Sequence, residues 1–115
     1  MTLQSFINIL KNTPTQIAFS ETISIIETLY DFNPSAFTNG NLQNSKTENL
    51  GSCKVIAFGM KQGFTKEETL ACFGHYYFND VLQNPNGTDH QNIRNFMKTG
   101  FEGISFQDEV LTSKN

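Results

Sequence analysis

Residues 69–96 read TLACFGHYYFNDVLQNPNGTDHQNIRNF, and this stretch decides how the chain folds. It holds one thiol, two histidines, two adjacent tyrosines, two aspartates and the only arginine of the chain. Thr65 and Glu68, just before it, form a T-x-x-E capping box, which is typical of a helix start. Apolar residues then recur on one helical face at Leu70, Phe73, Tyr77 and Val81. We predict a fourth helix that starts at Thr65 and is stopped by Pro85.

A turn and a fifth helix follow. Asn84-Pro85-Asn86-Gly87 fits a type I turn, with proline at the second position and glycine at the fourth. Thr88 and Gln91 make a second capping box. The buried stripe of this helix consists of Ile93, Phe96 and Met97, and Gly100 ends it.

Three more helices are predicted upstream, over residues 2–12, 20–31 and 52–62. We expect Thr2, Ser20 and Ser52 to cap them. The VIAF run inside the third would also fit a buried strand, but its spacing and Gly63 favour a helix. Residues 35–51 indicate a loop with a short hairpin at Asn39-Gly40, and residues 113–115 are expected to fray.

The predicted fold class is α+β and mainly α. It comprises about five helices and at most a small two-stranded antiparallel element, built from about 36–42 and 102–107. A chain of 115 residues is one domain of ordinary size, so residues 1–115 form one unit. Eleven Phe and three Tyr supply much of the core volume.

Composition argues against two classes of partner. The net charge is -3 and the eight Lys and Arg form no run, so no nucleic-acid partner is expected. No apolar run approaches the roughly 18 residues of a membrane span, so no membrane partner is expected. The start of the chain, MTLQSFINILKN, does not read as a signal peptide. Cys53 and Cys72 lie in apolar segments and indicate buried thiols in a reducing, cytoplasmic setting.

The candidate ligand-binding site groups polar residues from the end of one helix and the start of the next. Free N–H groups at the start of the fifth helix could attract an anion, and His90 and Arg94 share a face there. The competing interpretation is capping, with Arg94 paired to Asp80 or Glu102. The full candidate set is Tyr76, Tyr77, Asp89, His90, Asn92 and Arg94.

Other chemistry is less well supported. Cys72 and His75 have C-x-x-H spacing and, with His90 and Cys53, match zinc by residue type, but paired short spacings are missing. A thiol nucleophile would need access that apolar faces deny. We therefore predict neither a metal nor a cofactor. The Asn-rich loop 39–49 could serve as a protein-binding surface.

Several blocks of the sequence resemble the HopJ type III effector family. They are DFNPSAFTNG (31–40), NLGSCK (49–54), TLACFG (69–74), DVLQNPNGTDHQNIRNFM (80–97) and GFEGISF (100–106). The resemblance implies a small single domain found in many bacteria and named for a protein that a secretion system delivers into plant cells. It thus adds secretion into a host cell to the expected locations, but it implies no reaction.

Two functional interpretations follow. The first is a non-catalytic protein that binds a partner protein or a small anionic ligand. The alternative is a small hydrolase-like enzyme, with His90 as general base and Arg94 holding an anionic group.

Overall fold

The computed structural model describes residues 1–114. Its five α-helices are α1 (Leu3–Asn12), α2 (Phe19–Leu29), α3 (Leu50–Gln62), α4 (Lys66–Ala71) and α5 (Gln91–Thr99). Short 3-10 turns occupy Pro14–Gln16 and Gly100–Gly103, and Tyr76–Val81 is a π-helical segment. Five three-residue strands complete the described part of the chain: β1 (Tyr30–Phe32), β2 (Phe37–Asn39), β3 (Leu42–Asn44), β4 (Ile104–Phe106) and β5 (Leu111–Ser113).

The α+β, mainly helical class is confirmed, but the strand content exceeds the prediction. The expected pairing of the 36–42 and 102–107 segments is present as β2 against β4, with Thr38 opposite Ser105. A third strand, β3, pairs with the other edge of β2. A second sheet joins β1 to β5, where Tyr30 faces Ser113. Three-residue strands are too short to show a period of two, which is why this second sheet escaped detection.

The short hairpin predicted at Asn39-Gly40 is present, with its turn one residue further along and β2 and β3 as its strands. Asn39 pairs with Leu42, so Gly40 and Asn41 form a two-residue loop. Gly40 has φ +62°, and a glycine at the first central position is typical of hairpin turns that follow the strand twist.

The core lies between the helices and the inner faces of both sheets. Its largest fully buried side chains include three phenylalanines and several aliphatic residues: Phe6, Phe58, Phe96, Leu10, Ile26, Ile56 and Leu111. The expectation that aromatic rings carry the core volume is thus confirmed. Ring edges meet ring faces within it, as in the 5.5 Å contact between Phe58 and Phe64.

The prediction of one continuous fourth helix is wrong. Gly74 adopts φ +62° and interrupts the helix after α4. A Cβ atom there would lie 2.8 Å from the backbone nitrogen of Phe19, so only glycine fits this approach. Beyond it the chain resumes as the π-helical segment, in which Leu82 N–H donates to the carbonyl of Tyr77, five residues earlier.

Two predicted caps are also wrong. Ser20 and Ser52 lie inside α2 and α3, whose cap residues are Ala18 and Asn49. Glu21 accepts the N–H of Ala18 at the start of α2. The cap at Thr2, the capping box at Thr65, the helix ends at Gly63 and Gly100, and the turn closed by Gly87 N–H on Asn84 are confirmed.

The C-terminal end is more ordered than expected. Ser113 belongs to β5, and Lys114 N–H donates to the carbonyl of Leu29. Asn115, also expected to fray, lies outside the described residues. Among residues 1–114, no helix combines the length and apolarity that crossing a bilayer requires.

Candidate functional site

The interruption of the helix at Gly74 determines which side chains meet the start of α5. After this break, the π-helical segment carries Tyr76 and Asp80 towards His90. The rings of Tyr76 and His90 are 5.3 Å apart. His90 Nε2 lies 3.1 Å from Asp80 Oδ2. The sequence placed Tyr76 and His90 in one site, and the structure brings these two together.

His90 occupies the cap position of α5 in an unusual backbone conformation. Its φ and ψ are 50° and 49°, the left-handed region that few non-glycine residues adopt. The predicted capping box at Thr88 and Gln91 is therefore wrong, because His90 takes the cap position and Gln91 instead donates to the carbonyl of Thr88. Among residues 1–114, no side chain caps the first turn of α5.

Asn49 repeats this arrangement at the start of α3. Its φ and ψ are 53° and 47°, and again no side chain in the described residues caps the helix. His90 and Asn49 are the two non-glycine residues with positive φ among those described. Both helix starts therefore present N–H groups without a side-chain acceptor.

Both helix starts line one cleft of about 350 Å³, which we call the α3/α5 cleft. Its polar wall comes from Asn49, Gly51 and Ser52 of α3 and from His90 of α5, while its apolar wall comes from Phe19, Phe73, Tyr76 and Ile93. Phe19 packs edge to face on Tyr76, with ring centroids 5.1 Å apart, and stacks on Phe73. The cleft is open to solvent, and it combines polar groups with an aromatic frame, a mixture that small-molecule sites use.

Arg94 lies apart from this cleft. Its guanidinium donates to the carbonyls of Asp89 (2.6 Å) and Asn84 (2.9 Å), and to Asp89 Oδ1 at 2.7 Å. Its side chain is only 9 % exposed, and it borders a separate groove with Leu82, Pro85 and Met97. The expected carboxylate partner was Asp80 or Glu102, but the structure pairs Arg94 with Asp89. Arg94 therefore ties down the 84–89 loop that delivers His90.

Asp89 is part of this set of contacts, which we call the Arg94 clamp. Its hydrogen bond from Arg94 holds the pKa of its carboxyl below the ordinary value, and the nearby charges of Arg94 and His90 act in the same direction. Its other oxygen is 3.8 Å from His90 Nε2. The capping interpretation therefore holds only in part. Arg94 does pair with a carboxylate, that of Asp89, but their contacts hold the loop and do not cap the N–H groups of the helix.

Asn92 and Tyr77, the other two candidates, also lie outside the cleft. Asn92 is 4 % exposed and bonds with two further buried amides, Asn39 and Asn44. Tyr77 is half-buried with its ring 5.0 Å from that of Phe78, and burial, followed by the charge of Glu67, raises its pKa. The predicted set is therefore divided between one cleft and three other environments.

Sequence reasoning missed most of the cleft wall. Phe19, Asn49 and Gly51 come from segments distant in sequence, and no motif connects them to residues 76–90. Asp80 could not be matched with His90 by spacing, since the two lie ten residues apart on either side of a turn. Only the irregular π-helical geometry turns it towards the imidazole, and periodicity cannot reveal that geometry.

The two thiols are core residues, as predicted. Cys53 and Cys72 are fully buried and unpaired. Burial, assisted by the charge of Glu68, raises the pKa of Cys72 to about 12. A thiol with this pKa is a poor nucleophile at neutral pH. His75, its partner in the C-x-x-H spacing, is exposed.

Comparisons with known proteins agree with the sequence blocks. No curated protein matches the chain. A crystal structure of VPA0580, a protein of unknown function, superposes with a TM-score of 0.96 at 55% identity, covering 99% of this chain and 95% of that one. The HopJ type III effector protein family matches residues 3–111, nearly the whole length. By that match, the chain belongs to the HopJ type III effector protein family.

Proposed function

We propose that this protein binds a small molecule that carries both an aromatic ring and an anionic group, and that it binds this ligand in the α3/α5 cleft. The observation that carries the proposal is the meeting of two uncapped helix starts at one aromatic-lined cavity. The ring would pack against Tyr76 and Phe19, in the edge or offset geometry that aromatic pairs prefer. The anion would accept N–H groups from the first turns of α3 and α5.

Backbone strain supports the same location. A non-glycine residue in the left-handed region costs on the order of 1–3 kcal/mol and persists where surrounding structure enforces it. Two such residues, Asn49 and His90, border one cleft. In both, the conformation leaves the helix start open rather than capped, which is what an anion site requires.

The anion is assigned to backbone N–H groups rather than to Arg94. The guanidinium already donates to three oxygen atoms of the 84–89 loop, and a ligand would have to break those contacts. His90 contributes through its ring, which borders the cleft while its Nε2 is held by Asp80.

Titration with phenyl phosphate, followed by 1H–15N NMR, tests the proposal. Phenol and inorganic phosphate serve as probes of the ring alone and the anion alone. We expect phenyl phosphate to bind more tightly than either half and to shift the amide signals of Gly51, Ser52 and Gln91. Equal or absent shifts for all three compounds, or shifts centred on Arg94, would contradict the proposal.

The chain offers a matched pair of histidine variants. His90→Ala should weaken phenyl phosphate binding, because it removes part of the cleft wall and the ring that packs 5.3 Å from Tyr76. His75→Ala should leave binding nearly unchanged, since His75 is exposed and outside the cleft, although its ring contacts Tyr76 at 4.3 Å. If the two substitutions weaken binding equally, His90 has no specific part in the site.

Catalysis is the second candidate function, favoured by the Asp80–His90 pair. A carboxylate at 3.1 Å holds the imidazole in one orientation, as a general base requires. Hydrolysis of 4-nitrophenyl phosphate that is lost in both His90→Ala and Asp80→Asn would support an enzyme. Activity that survives either substitution would remove His90 as the base.

We also propose a reducing, cytoplasmic site of action, in the producing cell or in a host cell that receives the protein. The support is the two free, fully buried thiols, which are typical of proteins kept away from oxidising compartments. Reporter fusions and cell fractionation in a host-infection assay would distinguish the two locations. Recovery of the protein only from an oxidising compartment would contradict both.

A further inference from the structure

Behind the α3/α5 cleft, four asparagine side chains form one connected network. Asn39 Nδ2 donates to Asn92 Oδ1 at 3.0 Å. Asn92 and Asn44 then exchange a reciprocal pair of amide bonds, at 3.0 and 3.1 Å. Finally Asn49 Nδ2 donates to Asn44 Oδ1 at 2.7 Å, the shortest contact of the four. The network therefore links strand β2, helix α5, strand β3 and the start of α3.

This network is costly for a domain of this size. Asn39, Asn44 and Asn92 are 0 %, 5 % and 4 % exposed. Asn39 Oδ1 is buried without a hydrogen-bond partner among residues 1–114. Buried amides are rarely more stabilising than apolar side chains of the same shape, but they hold their partners in one arrangement.

Asn44 occupies the central position in that arrangement. One of its neighbours, Asn92, is the second residue of α5, and the other, Asn49, is the cap residue of α3. These are the two helix starts that wall the cleft. The Asn44 amide reaches from the hairpin to both of them, so a single side chain connects the two walls.

We infer that Asn44 is a positioning residue for the α3/α5 cleft, acting on ligand affinity through Asn49 and Asn92. This inference rests on the proposed function. It makes a specific distinction within the network, because Asn39 bonds only to the α5 side. Removing Asn39 leaves the bond between Asn44 and Asn49 in place, whereas removing Asn44 takes away the side-chain hydrogen bond that joins the α3 cap residue to the network.

Asn44→Ala and Asn39→Ala form the matched test, since each replaces a buried asparagine of the same network. Binding of phenyl phosphate is measured by NMR titration well below each variant's melting temperature. Asn44→Ala should bind about five- to tenfold more weakly than the parent chain, within the range that coupling through contiguous networks reaches. Asn39→Ala should bind within about twofold of the parent, whatever its melting temperature. Equal affinity losses in the two variants, or none in Asn44→Ala, would overturn the inference.

A second measurement does not depend on any ligand. Residual dipolar couplings of backbone N–H groups report the orientation of α3 relative to α5. We expect this orientation to change, or to become averaged, in Asn44→Ala and to be retained in Asn39→Ala. If the parent chain fails to bind phenyl phosphate, the proposed function fails for this ligand class, and the couplings still decide the inference: an unchanged orientation in Asn44→Ala rejects it.

Discussion

Replacing Arg94 by methionine should destabilise the protein strongly while leaving the cleft able to bind its ligand. Methionine fills much of the same volume but loses all three donated hydrogen bonds. This substitution separates two roles for Arg94, as a clamp for the 84–89 loop or as a ligand for an anion.

The size of the effect follows from the contacts. The pair with Asp89 counts for little, because the Asp89 side chain is 60 % exposed and water screens such a pair. The bonds to the carbonyls of Asp89 and Asn84 come from a charged donor and contribute roughly 1.5 kcal/mol each even at the low end of their range. The expected loss is about 3 kcal/mol of unfolding free energy, or a fall in melting temperature of roughly 10–15 °C for a domain of this size.

Thermal and urea denaturation followed by circular dichroism measure this loss, with Lys98→Met as the control. Lys98 is exposed on the same helix, one turn further along, so its replacement should change stability by less than about 0.5 kcal/mol. Folded Arg94→Met, measured well below its melting temperature, should still bind phenyl phosphate, with an affinity loss no larger than that of His90→Ala, because the loop that carries His90 loses its contacts but the cleft remains. A stability loss under 1 kcal/mol would refute the clamp, and loss of binding by folded Arg94→Met would place the guanidinium in the ligand site.

Three further predictions concern other parts of the fold. Gly74→Ala should cost about 3 kcal/mol in urea denaturation, since alanine must adopt a left-handed backbone with its Cβ 2.8 Å from the nitrogen of Phe19; a loss below 1 kcal/mol would contradict the close approach. The buried Cys72 thiol, whose pKa is raised to about 12, should react with Ellman's reagent only as fast as the protein unfolds, and rapid labelling of the native state would contradict its burial. The pKa of Asp89 is lower in the folded protein, so on acidification Asp89 takes up its proton first in the unfolded protein. The stability from its bond with Arg94 is therefore present above about pH 4 and is lost as the pH falls further. Asp89→Asn should flatten this acid limb of a profile of melting temperature against pH.

Regular elements with clear local signals could be predicted from the sequence. The T-x-x-E box at Thr65 and the N-P-N-G turn have mechanisms confined to four neighbouring residues, and both are present. The break at Gly74 could not be predicted, because it depends on a contact with Phe19, 55 residues earlier. An isolated glycine in a helical pattern is often tolerated, so the pattern of Leu70, Phe73 and Val81 indicated one long helix.

The candidate site was predictable in part for a similar reason. Tyr76 and His90 could be grouped because a turn joins the two segments that carry them. Their partners across the cleft, Asn49 and Gly51, belong to a helix start that only the tertiary fold brings near. The contacts of Arg94 could not be predicted, because the sequence is the same whether the guanidinium faces a ligand or its own loop, and only the direction of the side chain distinguishes the two.

Soaking crystals of the protein in phenyl phosphate would test the central claim most directly. The account predicts difference density in the α3/α5 cleft, with the phosphate oxygens at hydrogen-bonding distance from N–H groups of both first turns and the ring against Tyr76. An empty cleft at saturating concentration, or density on Arg94 outside it, would contradict the claim.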